Sequence, residues 1–161
     1  MQAGKTHSQV QQVAKHFRDV HFGGNWTTVN LKDTLADVTL SQALTQVENL
    51  NTIGILVFHI NYYVGAILKV LQGGLLDAKD KFSFDLPPIT TEEEWRQFVN
   101  KVLQEAEVLA AEIEKLDEGI LFEDFTDAKY GNYLRNLLGV TEHTHYHLGQ
   151  ITIIKKLLKE G

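Results

Sequence analysis

The scarcity of proline is the feature that most constrains the fold. The chain of 161 residues contains two prolines, and they are adjacent at Pro87-Pro88. Proline interrupts helices because it lacks the backbone N–H and its ring clashes with the preceding turn. Long stretches on either side of this pair are therefore free to be helical, and their apolar residues recur at helical spacing. The sequence predicts an all-α fold, formed as a single domain over residues 1–161.

Four long helices are predicted from this spacing and from residues that mark helix ends. The second is apolar almost all round, begins near Asn51-Thr52 and stops at Gly73-Gly74, so we expect it to be buried. The third begins at a capping box formed by Thr91 and Glu94. The approximate ranges are 5–20, 52–72, 91–116 and 132–158, with short helical pieces at 31–38 and 41–48. Four such helices in one small domain favour a four-helix bundle, and the long connections permit crossovers.

Composition and charge narrow the classes of function. The net charge is −6 and no block of Lys and Arg occurs, so a nucleic-acid partner is not expected. The chain has no cysteine, which excludes disulfides, zinc ribbons and a cysteine nucleophile. The first residues lack the apolar core of a signal peptide, and apolar stretches such as Ile53–Ile60 are too short to span a bilayer. A cytoplasmic protein without a membrane partner is therefore expected.

The segment EHTHYHLGQ, residues 142–150, holds three histidines in five positions. Successive residues on an α-helix are rotated by about 100°. The directions of His143 and His147 therefore differ by only about 40°, whereas His145 lies about 200° from His143. We expect His143 and His147 to share one face, and His145 to lie on the opposite surface of the helix.

Polar residues continue along the face that carries His143 and His147. Burying an imidazole or amide without a partner costs about 1–3 kcal/mol, so such a stripe needs a common partner, which a metal ion or a polar pocket supplies. His59, midway along the most apolar helix, can add a third ligand if the second and last helices pack together. Three neutral imidazoles leave an open coordination position, as in catalytic sites. The shared face, which also carries apolar residues, comprises Asn132, Asn136, Gly139, Val140, His143, His147, Gln150, Ile151 and Ile154.

Other interpretations of these histidines remain open from the residues alone. A lone buried His59 is more often a hydrogen-bonded core residue, and an i,i+4 pair of histidines is more often solvated. A zincin site would need Glu after the first histidine, but Thr144 follows His143. A ferritin-like site needs two Glu-x-x-His motifs, and the chain has one, Glu142 to His145. The function is then a metal-dependent enzyme, a non-catalytic (regulatory or stress-related) metal- or ligand-binding protein, or a structural histidine cluster.

Taken together, these motifs resemble those of the DinB/YfiT-like superfamily of bacterial four-helix-bundle proteins. That family has one histidine in its second main helix and H-x-x-x-H-x-G-Q in its last. Here the histidine is His59 and the motif is HTHYHLGQ, residues 143–150. GGNW after the first helix and the double glycine after the second are supporting features, and the resemblance covers nearly the whole chain. One departure is Leu148, where many members carry arginine.

The resemblance implies an up-down-down-up bundle, a divalent metal held by His59, His143 and His147, and a homodimer. For that dimer we expect spare apolar residues on the first and third long helices. Activities in the superfamily include metal-dependent hydrolysis, thiol S-transfer and thiol-dependent isomerisation of small molecules. The chain lacks a thiol of its own, so a thiol nucleophile would be a low-molecular-weight cosubstrate. Imidazole donors suit nickel or zinc, which are the metals expected.

Further residues are expected near this metal. Gln150 is a candidate to orient a ligand ring, and Asn132 and Asn136 are candidates for the pocket wall. Tyr62 and Tyr63, one turn after His59, either reach the pocket or pack in the core. Gly149 is expected to allow close helix packing. No Asp or Glu is expected on the site face of the last helix, which favours transfer or isomerisation over hydrolysis.

Overall fold

A computed structural model describes residues 8–160, and all regular structure in that range is helical. Six α-helices are joined by loops that contain three short 3₁₀ turns, at Asp80–Phe82, Glu118–Phe122 and Ala128–Tyr130. The six helices are α1 (Gln9–Phe22), α2 (Leu31–Leu35), α3 (Leu40–Leu44), α4 (Ile53–Leu71), α5 (Glu92–Glu114) and α6 (Tyr133–Glu160). The all-α prediction is therefore confirmed for the described residues.

The helix ends agree with the caps predicted from the sequence, with small shifts. Thr52 caps α4 by accepting a hydrogen bond from the backbone N–H of Ile55, and Thr91 forms the predicted capping box at α5. Helix α1 runs to Phe22, beyond the predicted end at residue 20, because the break occurs at Gly23, where φ is 111°. The predicted start of this helix near residue 5 lies outside the described residues. Helices α5 and α6 end within two residues of their predicted ends.

The segment between α1 and α4 is less helical than predicted. Helix α2 stops at Leu35 and α3 at Leu44, whereas the predicted pieces extended to residues 38 and 48. Thr45 adopts an extended backbone, with ψ of 123°, which ends α3. Between the two short helices, the carbonyl of fully buried Val38 accepts a hydrogen bond of 2.8 Å from the indole N–H of Trp95. Docking onto α5 thus overrides the local helical preference of this segment.

Helix α1 lies against α5 and α6. The guanidinium of Arg18 forms ion pairs of 2.9 and 2.8 Å with Glu107 and Glu114 of α5. The backbone N–H of Gln9 donates to Glu118, just beyond the end of α5, so the start of α1 meets the end of α5. Gln9 also shares a cavity with Leu134, near the start of α6. Helix α1 therefore runs opposite to α5 and in the same direction as α6.

Helix α4 lies against α5 and α6. Asn61 donates a hydrogen bond of 2.7 Å to Glu105 of α5. Leu56, early in α4, shares a small cavity with Ile153, late in α6, whereas Tyr63 shares one with Asn136, early in α6. Helices α4 and α6 therefore run in opposite directions, and the middle of α4 faces the middle of α6. As predicted, α4 is largely covered, and Lys69 is its one exposed residue.

Helix α4 also has the length and apolar composition that could cross a bilayer. It is one helix of 19 residues, and half of its most apolar window is buried inside the protein. It is longer than the stretch Ile53–Ile60, on which the expectation of no membrane span was based. Core helices of soluble proteins pass the same test, so length and composition alone do not distinguish the two cases.

The two tryptophans test the docking of the α2–α3 segment, because Trp95 is fully buried and Trp26 is fully exposed. In Trp95→Phe the buried carbonyl of Val38 loses its donor, and a small void forms. We expect the free energy of unfolding in urea to fall by about 2–3 kcal/mol. Trp26→Phe is the matched control and should change it by less than about 0.5 kcal/mol. Equal effects of the two substitutions would contradict this packing.

Candidate metal centre

The structure brings together three histidines that are far apart in the sequence. Helix α4 supplies His59, and α6 supplies His143 and His147. The nitrogen atoms that they could offer to a metal lie within 4.8 Å of one another. Nε2 of His143 is 3.0 Å from Nε2 of His59 and 3.1 Å from Nε2 of His147. Among the described residues this is the one group of three or more potential ligands with such geometry.

The outer nitrogens of two of these rings determine their protonation. Nδ1–H of His59 donates to the carbonyl oxygen of Ser83 at 3.2 Å, and Nδ1–H of His147 donates to Oε1 of Gln150 at 2.6 Å. A neutral imidazole carries a single N–H, so both rings present an unprotonated Nε2 to the centre. Two lone pairs thus converge on Nε2 of His143.

The ring of His143 is not satisfied by protein groups alone. Its Nδ1 is buried without a hydrogen-bond partner in the described structure. Nε2 of His143 faces the Nε2 lone pair of His59 on one side and that of His147 on the other. If Nε2 of His143 carries the proton, its N–H can form a well-aligned hydrogen bond with only one of the two. A cation at the point where the three Nε2 atoms converge would satisfy all three together. The donor set therefore fits a transition metal that prefers imidazole ligands.

Burial keeps these histidines neutral. It lowers the pKa of His143 to about 4, and the neighbouring rings of His147 and His59 lower it further. Burial also lowers the pKa of His59 and of His147, although the hydrogen bonds to Ser83 and Gln150 oppose this. An imidazole must be neutral to bind a metal, so the folded protein maintains the three rings in the form that ligates near neutral pH.

Aromatic rings enclose the triad on several sides. Phe84 stacks on the ring of His59 with a centroid distance of 3.8 Å and an interplanar angle of 10°. Tyr63 meets His59 and His143 edge-on, with centroid distances of 5.2 and 4.9 Å. Ser83 and Phe84 lie in the loop after α4, and sequence reasoning did not assign them to the site. The one available signal was the aromatic pair in DKFSFDLPPI, residues 80–89, close to the two prolines.

The two tyrosines expected near the pocket play different parts. The hydroxyl of Tyr63 donates to Asp80 at 2.8 Å while its ring touches the triad. The hydroxyl of Tyr62 instead accepts from the backbone N–H of Lys79 at 2.8 Å and donates to the carbonyl of the same residue. Tyr62 therefore fixes the loop after α4, and Tyr63 forms part of the wall beside the histidines.

The amide residues expected at the site also separate into two groups. Gln150 contacts His147 directly and fixes its ring, as anticipated. Asn132 accepts a hydrogen bond of 2.8 Å from the backbone N–H of Arg135, which makes it a cap of α6. Asn136 lines a cavity, but its Nδ2 is directed toward the carbonyls of Tyr130 and Asn132. Neither asparagine makes a hydrogen bond to the histidines in the described structure.

A cavity of about 310 Å³ opens beside the triad along the groove between α4 and α6. His143 forms part of its wall, together with Tyr63 and Gly139. Glu142 and Arg135 also line it, and sequence reasoning missed both. No Asp or Glu was expected on the site face of this helix. Glu142 lies about 100° from His143, off that face, but its side chain still lines the cavity.

The remaining residues of the motif point elsewhere. His145 is separate from the triad and half-buried, with its ring 6.4 Å from that of His16 on α1, rather than fully on the surface. Leu148 is buried in the core at 2% exposure. The expectation that Gly149 permits close packing was wrong, because a Cβ placed there would meet no atom within 4 Å.

The tautomers and pKa values of the triad can be measured in metal-free protein by ¹⁵N NMR of the imidazole rings. We expect His59 and His147 to carry their proton on Nδ1 at pH 7, and His143 to stay neutral down to about pH 4. The unfolded chain takes up this proton near pH 6.5, so folding stability should fall as the pH decreases from about 6.5 to about 4. Protonation of His143 near its ordinary pKa would contradict the described burial.

The chain was compared with models of protein families, with curated proteins and with solved structures, and no match was found. The similarity to the DinB/YfiT-like superfamily inferred from His59 and the motif HTHYHLGQ is therefore still a prediction. The geometry of the triad, its hydrogen bonds and the cavity beside it are the features that bear on the function of this chain.

Proposed function

We propose that this chain is a metal-dependent enzyme that acts on a small molecule. A divalent transition metal, nickel or zinc, would be held by His59, His143 and His147. The observation that carries this proposal is the convergence of the three Nε2 atoms at the edge of a cavity of about 310 Å³, with His143 belonging to both. A metal bound by three imidazoles lowers the pKa of a water molecule or a thiol that occupies its open coordination position.

The residues around the triad have roles that follow from their contacts. The carbonyl of Ser83 and the amide of Gln150 hold two rings in the tautomer that binds a metal. Phe84 and Tyr63 cover the rings and limit the access of water to them. Glu142 provides a carboxylate at the cavity wall beside His143.

Glu142 also bears on the type of reaction. Both water and a thiol lose a proton when they act as nucleophiles, and a carboxylate in the cavity can accept it. The absence of such a group was the reason to favour transfer or isomerisation, so hydrolysis stands beside thiol chemistry as a candidate. A non-catalytic metal-binding protein would need the three histidines but neither the cavity nor a carboxylate beside them. The cavity and Glu142 favour an enzyme over that alternative.

The proposed function includes a proposed architecture and family. Helix α1 is antiparallel to α5 and parallel to α6, and α4 is antiparallel to α6. These directions support a four-helix bundle with up-down-down-up order. In that order α1 and α6 run one way, and α4 and α5 run the other. We further propose that the chain belongs to the DinB/YfiT-like superfamily, on the basis of His59 and the motif at residues 143–150.

A homodimer is proposed as the assembly, through a different surface from the one expected. Few large apolar side chains are exposed on the described parts of α1 and α5, where a dimer surface was expected. Helix α6 instead carries Tyr146, Ile153 and Leu157, which are 66%, 58% and 44% exposed. Their spacing of seven and four residues puts them on one face of the helix. This stripe, Tyr146–Ile153–Leu157, supports a dimer formed through α6.

The metal site can be tested with four alanine variants. His59→Ala, His143→Ala and His147→Ala should each lose bound nickel or zinc in elemental analysis, because each removes one of three ligands. His145→Ala is the matched control and should keep it. A bound ion stabilises the fold by about 2.7 kcal/mol at a hundredfold excess over its dissociation constant. A chelator should therefore lower the melting temperature of the wild type and of His145→Ala, and leave the three ligand variants nearly unchanged.

Two outcomes would overturn the metal proposal. The first is wild-type protein, prepared without chelator or affinity resin, with less than about a tenth of an equivalent of any transition metal. The second is equal metal loss in His145→Ala and His147→Ala, two residues apart on α6. Circular dichroism of each variant separates loss of metal from loss of fold.

The dimer can be tested by light scattering. The wild type should have the mass of two chains at tens of micromolar. Ile153→Asp should convert it to a monomer, because a charge at the centre of the apolar stripe must be desolvated in the interface. Val108→Asp, on the outer side of α5, is the control and should stay dimeric. A monomeric wild type would exclude the proposed assembly.

A further inference from the structure

We propose that Arg135 binds a carboxylate of the substrate, so that the cavity takes an elongated molecule with a carboxylate at one end and its reacting group at the triad. This inference rests on the metal-dependent function proposed above and specifies its substrate class. It follows from the distribution of charge along the cavity, from the lack of an acidic partner for Arg135 among residues 8–160 and from the open space at Gly139.

The cavity has two chemically different ends. His143 and Glu142 form one end, beside the triad, and Arg135 lines the wall toward the start of α6. Eight residues separate His143 from Arg135, which corresponds to about 12 Å along the helix. The wall between them includes the apolar side chains of Ile67 and Val140. A ligand that contacts both ends must therefore be elongated.

Arg135 differs from the other two arginines of the chain in having no acidic partner among residues 8–160. Arg18 pairs with Glu107 and Glu114, and Arg96 pairs with Glu92. The guanidinium of Arg135 donates from Nη1 to the carbonyl of Tyr130 at 3.0 Å. Its other N–H groups are available to a ligand, because a guanidinium has five donors.

The position of Arg135 is constrained by the turn before α6. Its stem crosses Gly131, where φ is 76°, and a Cβ at that glycine would lie 2.8 Å from Cδ of Arg135. The bond to Tyr130 fixes the other end of the side chain. Arg135 is exposed, and its hydrogen bond to Tyr130 leaves the guanidinium at the cavity wall, where it is accessible to a ligand.

The charges favour a carboxylate at this end over the other acidic groups of small molecules. Arg135 is the one cation among the residues that line the cavity, so it can balance the single charge of a carboxylate, whereas a phosphate monoester carries about −1.5 to −2 at pH 7. A guanidinium matches the two oxygens of a carboxylate in a planar, bidentate contact. Glu142 repels an anion from the triad end, so the carboxylate is directed to Arg135 and the reacting group to the histidines.

Gly139 keeps the cavity open between the two ends. It lies on the wall one turn before His143, and a Cβ placed there meets no atom within 4 Å. A Cβ at this position would lie in open space, so a larger side chain is expected to extend into the cavity. Gly149 offers a matched control, since a Cβ there also meets nothing, but it lines a different cavity, with His145 and Leu148.

The first experiment measures the preference for a carboxylate. The cobalt(II)-loaded protein is titrated by calorimetry with 8-mercaptooctanoate and with the neutral 8-mercaptooctanol, whose extended chains are close to the distance between the two ends. We expect the wild type to bind the carboxylate about tenfold more tightly than the alcohol. Arg135→Gln should bind both equally, whereas Arg96→Gln should keep the preference. Cobalt content should be the same in all three proteins.

The second experiment fills the cavity. Gly139→Leu should weaken the binding of both ligands by at least about tenfold, because the leucine side chain occupies the part of the cavity where their chains lie. The cobalt content should be retained. Gly149→Leu should bind both as the wild type does. Replacement of glycine within a helix favours the helical state, so both variants are expected to fold.

The outcomes separate this inference from the metal proposal. Failure of the wild type to take up cobalt overturns the metal site. The carboxylate preference is then measured on metal-free protein with octanoate and octanol, and should still depend on Arg135. No preference in the wild type, an unchanged preference in Arg135→Gln, or unchanged binding in Gly139→Leu overturns the inference, even if cobalt binds fully.

Discussion

The candidate site depends on one contact, the meeting of His59 with His143 and His147 between α4 and α6. Three imidazoles placed between two helices would be unfavourable if each ring needed its own partner. Two outer hydrogen bonds and the mutual approach of the Nε2 atoms reduce that penalty, and His143 keeps an unsatisfied Nδ1. The packing of α4 against α6 therefore holds the three rings in position, and the stability of that packing offsets the unfavourable burial.

The sequence allowed the triad to be predicted because helical geometry is simple. The i,i+4 spacing of His143 and His147, and the two-residue offset of His145, decide which rings share a face. The apolar run around His59 indicated burial on a neighbouring helix. Helix ends followed from short-range signals such as Thr52 and Thr91, whose side chains accept backbone hydrogen bonds.

Other parts of the site depend on contacts that no local pattern encodes. Ser83 and Phe84 reach His59 only because the loop after α4 folds back over that helix. Glu142 was missed because an ideal helical wheel ignores the reach of a long side chain. Helix α2 stops short of its predicted end where Val38 contacts Trp95, which is distant in sequence. In each case a tertiary contact outweighed the local preference.

The wide separation of the ligands along the chain has a consequence for how strongly a metal can hold the fold together. His59 is 84 residues from His143, and its orienting carbonyl lies 24 residues beyond it. Of the three site histidines, only His143 and His147 stay close together in an unfolded chain, and a random coil does not hold them on one face. Bringing His59 to the pair means closing a long loop, which is entropically unfavourable unless the helices are already packed. A metal would thus bind the folded chain much more tightly than the unfolded chain, and it would link α4 to α6 only after the two helices have packed together.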